Sequence, residues 1–150
     1  QALGAGFTAV RTDADVLAVG EMGIGNTTIA AAICAALTDR NPAAWCGPGT
    51  GVTADGVSRK ASVVAAGLRL HADSLDDPLA VMACLGGREL AALVGAILGA
   101  RLHRIPVLLD GYVTGAAALI LHERHGLCTS SLHVVSLCVR LVHECKQLCS

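Results

Sequence analysis

The chain has 150 residues and a formal net charge of -1, from 11 Lys and Arg against 12 Asp and Glu. With no basic cluster behind that balance, electrostatic attraction to nucleic acid or to an anionic membrane is disfavoured. Apolar residues make up 53% and charged residues only 15%, at a mean hydropathy of +0.60, which is high for a free-standing domain of this size and reads as a piece of something larger.

The apolar content is Ala, Val and Leu, while aromatics are 2%. That mixture suits packed helices and parallel strands and offers little surface for base stacking. A membrane-spanning helix needs ~20 apolar residues in a row. The run 90–100 is bounded by Arg88, Glu89 and Arg101, and the run 105–121 carries Asp110, so no span is expected. No cationic-then-apolar leader opens the chain, which begins at Gln1, and a cytoplasmic protein or a fragment of one is the expectation.

In chain order, residues 14–19 predict a buried strand rich in Val and Leu. A glycine-rich turn follows, Gly20-Glu21-Met22-Gly23-Ile24-Gly25-Asn26-Thr27-Thr28, and then a helix over 27–37 free of Pro and Gly. Cys46-Gly47-Pro48-Gly49-Thr50-Gly51 is a loop by composition. A second helix is marked by Val57, Ala61, Val64, Ala65 and Leu68, with Lys60 expected in its first turn. Asp77-Pro78 predicts a helix start, an acceptor side chain at the cap and Pro at the first helical position, and that helix stops at Gly86-Gly87. A third apolar helix runs from Arg88 to about His103, with Gly95 and Gly99 on one face for close approach of another backbone. Residues 107–109 form a compact strand ending in Asp110-Gly111, and a helix over 114–125 follows.

Strands separated by helices predict an α/β fold, a parallel sheet with helices on both faces. In such sheets ligands bind beyond the carboxyl ends of the strands, where Glu21 and Asp110 both fall.

The opening loop fails two familiar phosphate fingerprints. A Walker A loop requires a lysine before its Ser or Thr, and none precedes Thr27. The dinucleotide fingerprint requires a third glycine where Thr28 stands. What remains is a strand-to-helix turn whose N–H groups and positive helix end suit an anion, or else a tight structural turn. Glu21 bears on that choice, because a carboxylate repels phosphate and suits ribose hydroxyls or a cationic ring instead. The candidate phosphate contacts are Gly23, Ile24, Gly25, Asn26 and Thr27. Gly49, Thr50 and Gly51 offer a second anion contact. Lys60 is either a charge for phosphate or carboxylate or a surface lysine. Asp110 binds ribose or caps the next turn. His71, His103, His122 and His125 read as helix-end residues, and Cys34, Cys46 and Cys84 as small buried thiols.

Together with His103-Arg104-Ile105-Pro106-Val107-Leu108-Leu109-Asp110-Gly111-Tyr112 and Leu85-Gly86-Gly87-Arg88-Glu89-Leu90, these motifs make residues 1–125 resemble the nicotinate-nucleotide:dimethylbenzimidazole phosphoribosyltransferase family. The resemblance implies a Rossmann-like fold, incomplete here, and a homodimer. It also implies transfer of phosphoribose from nicotinate mononucleotide to 5,6-dimethylbenzimidazole, giving α-ribazole 5′-phosphate and nicotinate in cobalamin biosynthesis, with no metal or cofactor. By that resemblance Glu21 and the turn 23–27 hold the ribose phosphate side, the loop 47–51 and Lys60 complete the pocket, and the catalytic duty of Glu21 is on the ribose. The family's general base lies in a Gly-Glu-Gly segment with no match in this chain, and the chain covers less than half of a full-length enzyme. From a different class, a non-catalytic nucleotide-binding module is the rival, and a dinucleotide-dependent oxidoreductase is the less favoured enzyme alternative.

The composition changes at residues 126–150, which hold Cys128, Cys138, Cys145 and Cys149 and set a divergent tail apart from the domain 1–125. A frameshifted or spliced-on end is the favoured reading. Val134, Cys138, Leu141, Cys145 and Leu148 alternatively form the stripe of an amphipathic helix, and a zinc site is disfavoured by the lack of a closely spaced Cys pair.

Overall fold

A computed structural model describes residues 1–49, 51, 53–125 and 132–134. It shows an α/β arrangement in which a small parallel sheet is threaded through a larger set of helices. Three strands, β1 (Leu17–Val19), β2 (Val107–Leu109) and β3 (Leu132–Val134), lie in that order across the sheet. Leu17 pairs with Val107 and Val19 with Leu109, and β3 continues the ladder with Leu132 opposite Val107.

The first strand is shorter than the expected 14–19, for a reason visible in its neighbours. The Ala14 N–H is taken up by the Arg11 carbonyl in a turn, and pairing begins only where the Leu17 N–H reaches the Pro106 carbonyl at 2.9 Å. Pro106 has no N–H to offer in return, so the ladder cannot start earlier. At the other end the Asp110 N–H donates to the Val19 carbonyl at 3.0 Å, fastening the two carboxyl ends side by side.

Seven helices are described: α1 (Ala2–Ala9), α2 (Asn26–Thr38), α3 (Pro42–Trp45), α4 (Ala54–Leu70), α5 (Pro78–Leu85), α6 (Arg88–Leu102) and α7 (Tyr112–His125). Helix α2 confirms the alanine-rich helix and extends it by one residue at each end. Its residues Ala30 to Ala35 are buried all round, and it packs on α7, where Ala116 and Ala117 are also fully buried. Ile33 of α2 and Ile120 of α7 are both fully buried, each contributing about 1.5–3 kcal/mol by burial.

Helix α4 starts three residues before Val57, because the Thr53 hydroxyl accepts the Gly56 N–H and caps the end there. Lys60 is therefore in the second turn rather than the first. The Asp77 carboxylate accepts from the Leu79 and Ala80 N–H groups with Pro78 behind it, the start the dipeptide predicts. Helix α3, capped by Asn41 with Pro42 at its first position, and the 3-10 turn Ala72–Ser74 are additions to the expected elements.

Gly95 and Gly99 do admit a backbone, and it belongs to α1. A methyl group on Gly95 would land on the Leu3 carbonyl, and one on Gly99 would stand 2.9 Å from the Phe7 oxygen. Gly6 makes the reciprocal approach to Ala92. Of the tail, the strand β3 is described; of the stripe expected for a helix, only Val134 falls within it, and Cys128, Cys138, Leu141, Cys145, Leu148 and Cys149 lie outside the described residues.

Candidate functional site

Beyond the carboxyl end of β1 the chain leaves the sheet at Gly20 and re-enters regular structure at Asn26. Gly25 makes that re-entry with φ +88°, a left-handed conformation costly for any residue with a Cβ. No side chain caps α2, and while the Thr28 N–H turns back to the Gly25 carbonyl at 2.9 Å, the positive helix end is left to the space in front of the loop.

That space is a cavity of about 640 Å³ lined by Glu21, Met22, Gly23, Ile24, Gly25, Thr27, Thr28, Gly49 and Lys60. Lys60 reaches it from α4. Its Nζ donates to the Thr27 Oγ1 and to the Gly47 carbonyl, both at 3.1 Å, which places a positive charge beside the first turn of α2 and ties down the glycine-rich loop. Gly49 brings that loop to the wall with φ +52°. A helix N-terminus and an ammonium converging on one side make an anion seat. On the same wall Glu21 supplies a carboxylate, which accepts a hydrogen bond from the Asn26 side-chain amide.

Of the residues 21–28, Asn26 alone does not line the cavity. It is 7% exposed, behind the wall, with its amide against Glu21. Gly23 makes room for it, since a methyl group there would overlap the Asn26 amide nitrogen.

Of the candidate contacts named from sequence, the structure therefore brings Glu21, Gly23, Ile24, Gly25, Thr27, Gly49 and Lys60 to one cavity. Gly51, at φ +85°, is in the same loop but off the wall, and Thr50 lies outside the described residues. Asp110 is exposed and also off the wall; its carbonyl accepts from the Thr114 hydroxyl at 3.0 Å while its N–H joins β1. Met22 and Thr28 line the cavity without having been singled out, although both stand inside the motif that pointed there. Met22 and Ile24 are fully exposed, two apolar side chains on the lip of a polar seat.

The loop is braced from behind. The Tyr112 hydroxyl donates to the Trp45 carbonyl at 3.1 Å, and the Trp45 indole N–H donates to the Thr38 hydroxyl at 3.2 Å, linking α7, α3 and α2 just ahead of Cys46. Burial pushes the Cys46 thiol above its ordinary pKa, and the Lys60 charge draws it partly back. Cys34 is buried as expected, but Cys46 and Cys84 are only half-buried. Among the described residues no group of three or more His, Cys, Asp or Glu is placed to hold a metal ion, and no helix is long and apolar enough to cross a membrane.

A family model described as phosphoribosyltransferase matches residues 1–143. The nicotinate-nucleotide–dimethylbenzimidazole phosphoribosyltransferase of Cereibacter sphaeroides (strain ATCC 17023) is 56% identical over 121 residues, 81% of this chain and 36% of that protein.

The chain belongs to this phosphoribosyltransferase family. A second relative of the same name, from Rhizobium etli (strain CIAT 652), is 57% identical over 116 residues, 77% of this chain and 34% of its own length. Among solved structures, that of CobT from Thermus thermophilus superposes with a TM-score of 0.81 at 42% identity, over 89% of this chain and 41% of the other. The chain thus spans about a third of the length of the curated phosphoribosyltransferases it matches. The superposition agrees with the α/β reading.

Proposed function

We propose that this chain forms the donor-nucleotide side of an enzyme that moves phosphoribose from nicotinate mononucleotide to 5,6-dimethylbenzimidazole. The observation that carries the reading is the pairing, in one cavity, of an uncapped helix N-terminus and Lys60 with the carboxylate of Glu21. Nicotinate mononucleotide has the matching parts: one phosphate, a ribose and a cationic ring. The phosphate sits against Gly25, Thr27 and Lys60, with Gly49 on the same wall and Thr50 and Gly51 as the further contacts offered by its loop. Ribose and ring then point toward Glu21, where a negative charge is attractive rather than repulsive.

In the reaction a benzimidazole nitrogen bonds to ribose C1′ as the bond from C1′ to the nicotinate nitrogen breaks. Positive charge grows on C1′ and the ring oxygen in that transition state, and Glu21 is placed to stabilise it. The proton on the benzimidazole nitrogen must leave to a base outside this chain, since no segment here matches the family's Gly-Glu-Gly motif. The complete enzyme is a cytoplasmic homodimer, and residues 1–125 act as the nucleotide domain, followed by a divergent tail, 126–150, whose strand β3 joins the sheet beside β2.

Calorimetric titration of the chain with nicotinate mononucleotide and with NAD tests the reading. Preferential binding of the mononucleotide is expected. Equal or tighter binding of NAD would return the dinucleotide rival. Release of nicotinate on adding dimethylbenzimidazole separates a catalytic chain from a binding module.

A further inference from the structure

Between Glu21 and Thr28 every residue lines the cavity except Asn26, yet Asn26 is the polar side chain of this loop most completely removed from solvent, at 7% exposure. A buried amide needs a partner, and this one donates to Glu21 Oε2. The contact closes the loop on itself, since Glu21 stands just beyond β1 and Asn26 is the first residue of α2. Gly23 is part of the same device, because any Cβ there would occupy the place of the Asn26 amide.

We infer that Asn26 is a positioning residue that acts on the donor nucleotide through Glu21, fixing the carboxylate toward the ribose, and does not itself contact the phosphate. This rests on the proposed reading of Glu21 as the ribose-facing group. A carboxylate on a loop otherwise rotates among several staggered conformers, and one charge-assisted hydrogen bond from a buried donor is enough to select among them. The phosphate seat is assembled from other groups: the N-terminus of α2, Thr27 and Lys60. Removing the Asn26 amide therefore frees Glu21 without dismantling the anion site.

The test uses the full 150-residue chain and two probes, nicotinate mononucleotide and inorganic phosphate. Asn26→Ala is paired with Asn26→Leu, a near-isostere that removes the amide without adding a charge beside Glu21 or the anion seat. Each variant is expected to weaken nicotinate mononucleotide by ~10-fold, the scale of one hydrogen bond to a charged group, while phosphate affinity stays within about twofold of the parent. In a Glu21→Ala background Asn26→Ala adds nothing further, and Gly23→Ala reproduces the Asn26 phenotype. Equal loss of both probes, or additive losses in the double variant, overturns the inference by making Asn26 a direct ligand.

A measurement without ligand keeps the two readings apart. The Asn26 side-chain amide protons, followed by NMR in the free chain, are expected to shift and exchange faster in Glu21→Ala. If they do not move, the pairing is absent and the inference falls. A parent chain that shows the pairing but binds no nicotinate mononucleotide removes instead the functional reading on which the positioning role stands.

Discussion

The ammonium of Lys60 lies 3.1 Å from the hydroxyl of Thr27, joining the second turn of α4 to the first turn of α2 across 33 positions of sequence. The bond sets a long side chain at the wall of the cavity, where its third proton and its charge are available to a ligand. Replacing Lys60 by Met keeps the aliphatic stem and deletes the charge. Affinity for nicotinate mononucleotide is expected to fall ~10- to 100-fold, and the salt dependence of binding to flatten. Calorimetry at two ionic strengths checks both, and an unaltered affinity would remove Lys60 from the site.

Gly25 carries the turn into α2 at φ +88°, with open space where a Cβ would point. Strain rather than collision therefore governs substitution. Gly25→Ala is expected to cost about 1–2 kcal/mol in urea unfolding, and Gly25→Asn less, because Asn tolerates the left-handed region. Equal stability of all three would mean the turn relaxes to another conformation.

Gly95 is a case of collision. Its added methyl would meet the Leu3 carbonyl, so Gly95→Ala must separate α1 from α6. The expected loss is about 1–3 kcal/mol, with faster amide exchange confined to 2–9 and phosphate binding retained, since α1 contributes nothing to the cavity wall. Loss of phosphate binding would show that the two regions are coupled.

Trp45 is the only tryptophan and is nearly buried beside the glycine-rich loop. Tyr112→Phe deletes the hydroxyl that donates to its carbonyl. About 0.5–1.5 kcal/mol of stability should be lost, with a change in the tryptophan emission that titration with phosphate partly reverses. Emission identical to the parent would disconnect Tyr112 from this loop.

Cys46 reports the Lys60 charge. Burial raises its pKa and Lys60 lowers it, so at mildly alkaline pH less thiolate is present than for an ordinary cysteine. Alkylation with iodoacetamide should show its midpoint above that of a free thiol, and Lys60→Met should move it further up. A downward move would contradict the electrostatic assignment.

Much of this site was legible in sequence because one contiguous stretch, Gly20 to Thr28, carries both the strand-to-helix turn and its carboxylate. The glycines at 95 and 99 likewise announced a close helix contact. What sequence could not supply was depth. Asn26 and Thr27 are neighbours with similar polarity, yet one lies behind the wall and the other on it, a difference set by the helix rotation and by the room left at Gly23. The start of α4 was misplaced because apolar periodicity begins at Val57, whereas the Thr53 cap acts earlier through a single hydroxyl. Asp110 appeared beside the ligand because β2 ends there, but its backbone is engaged with β1 and α7 and its side chain lies off the cavity wall.

The loop that links Glu21 to Asn26 holds its shape through contacts with itself. Ordering a free loop costs about 1–2 kcal/mol of backbone entropy per residue, and here that cost falls on folding rather than on the ligand. A ligand entering this cavity would meet a preorganised surface, so association should be fast and little altered by mutation, and differences in affinity among variants should reside in how long the ligand stays.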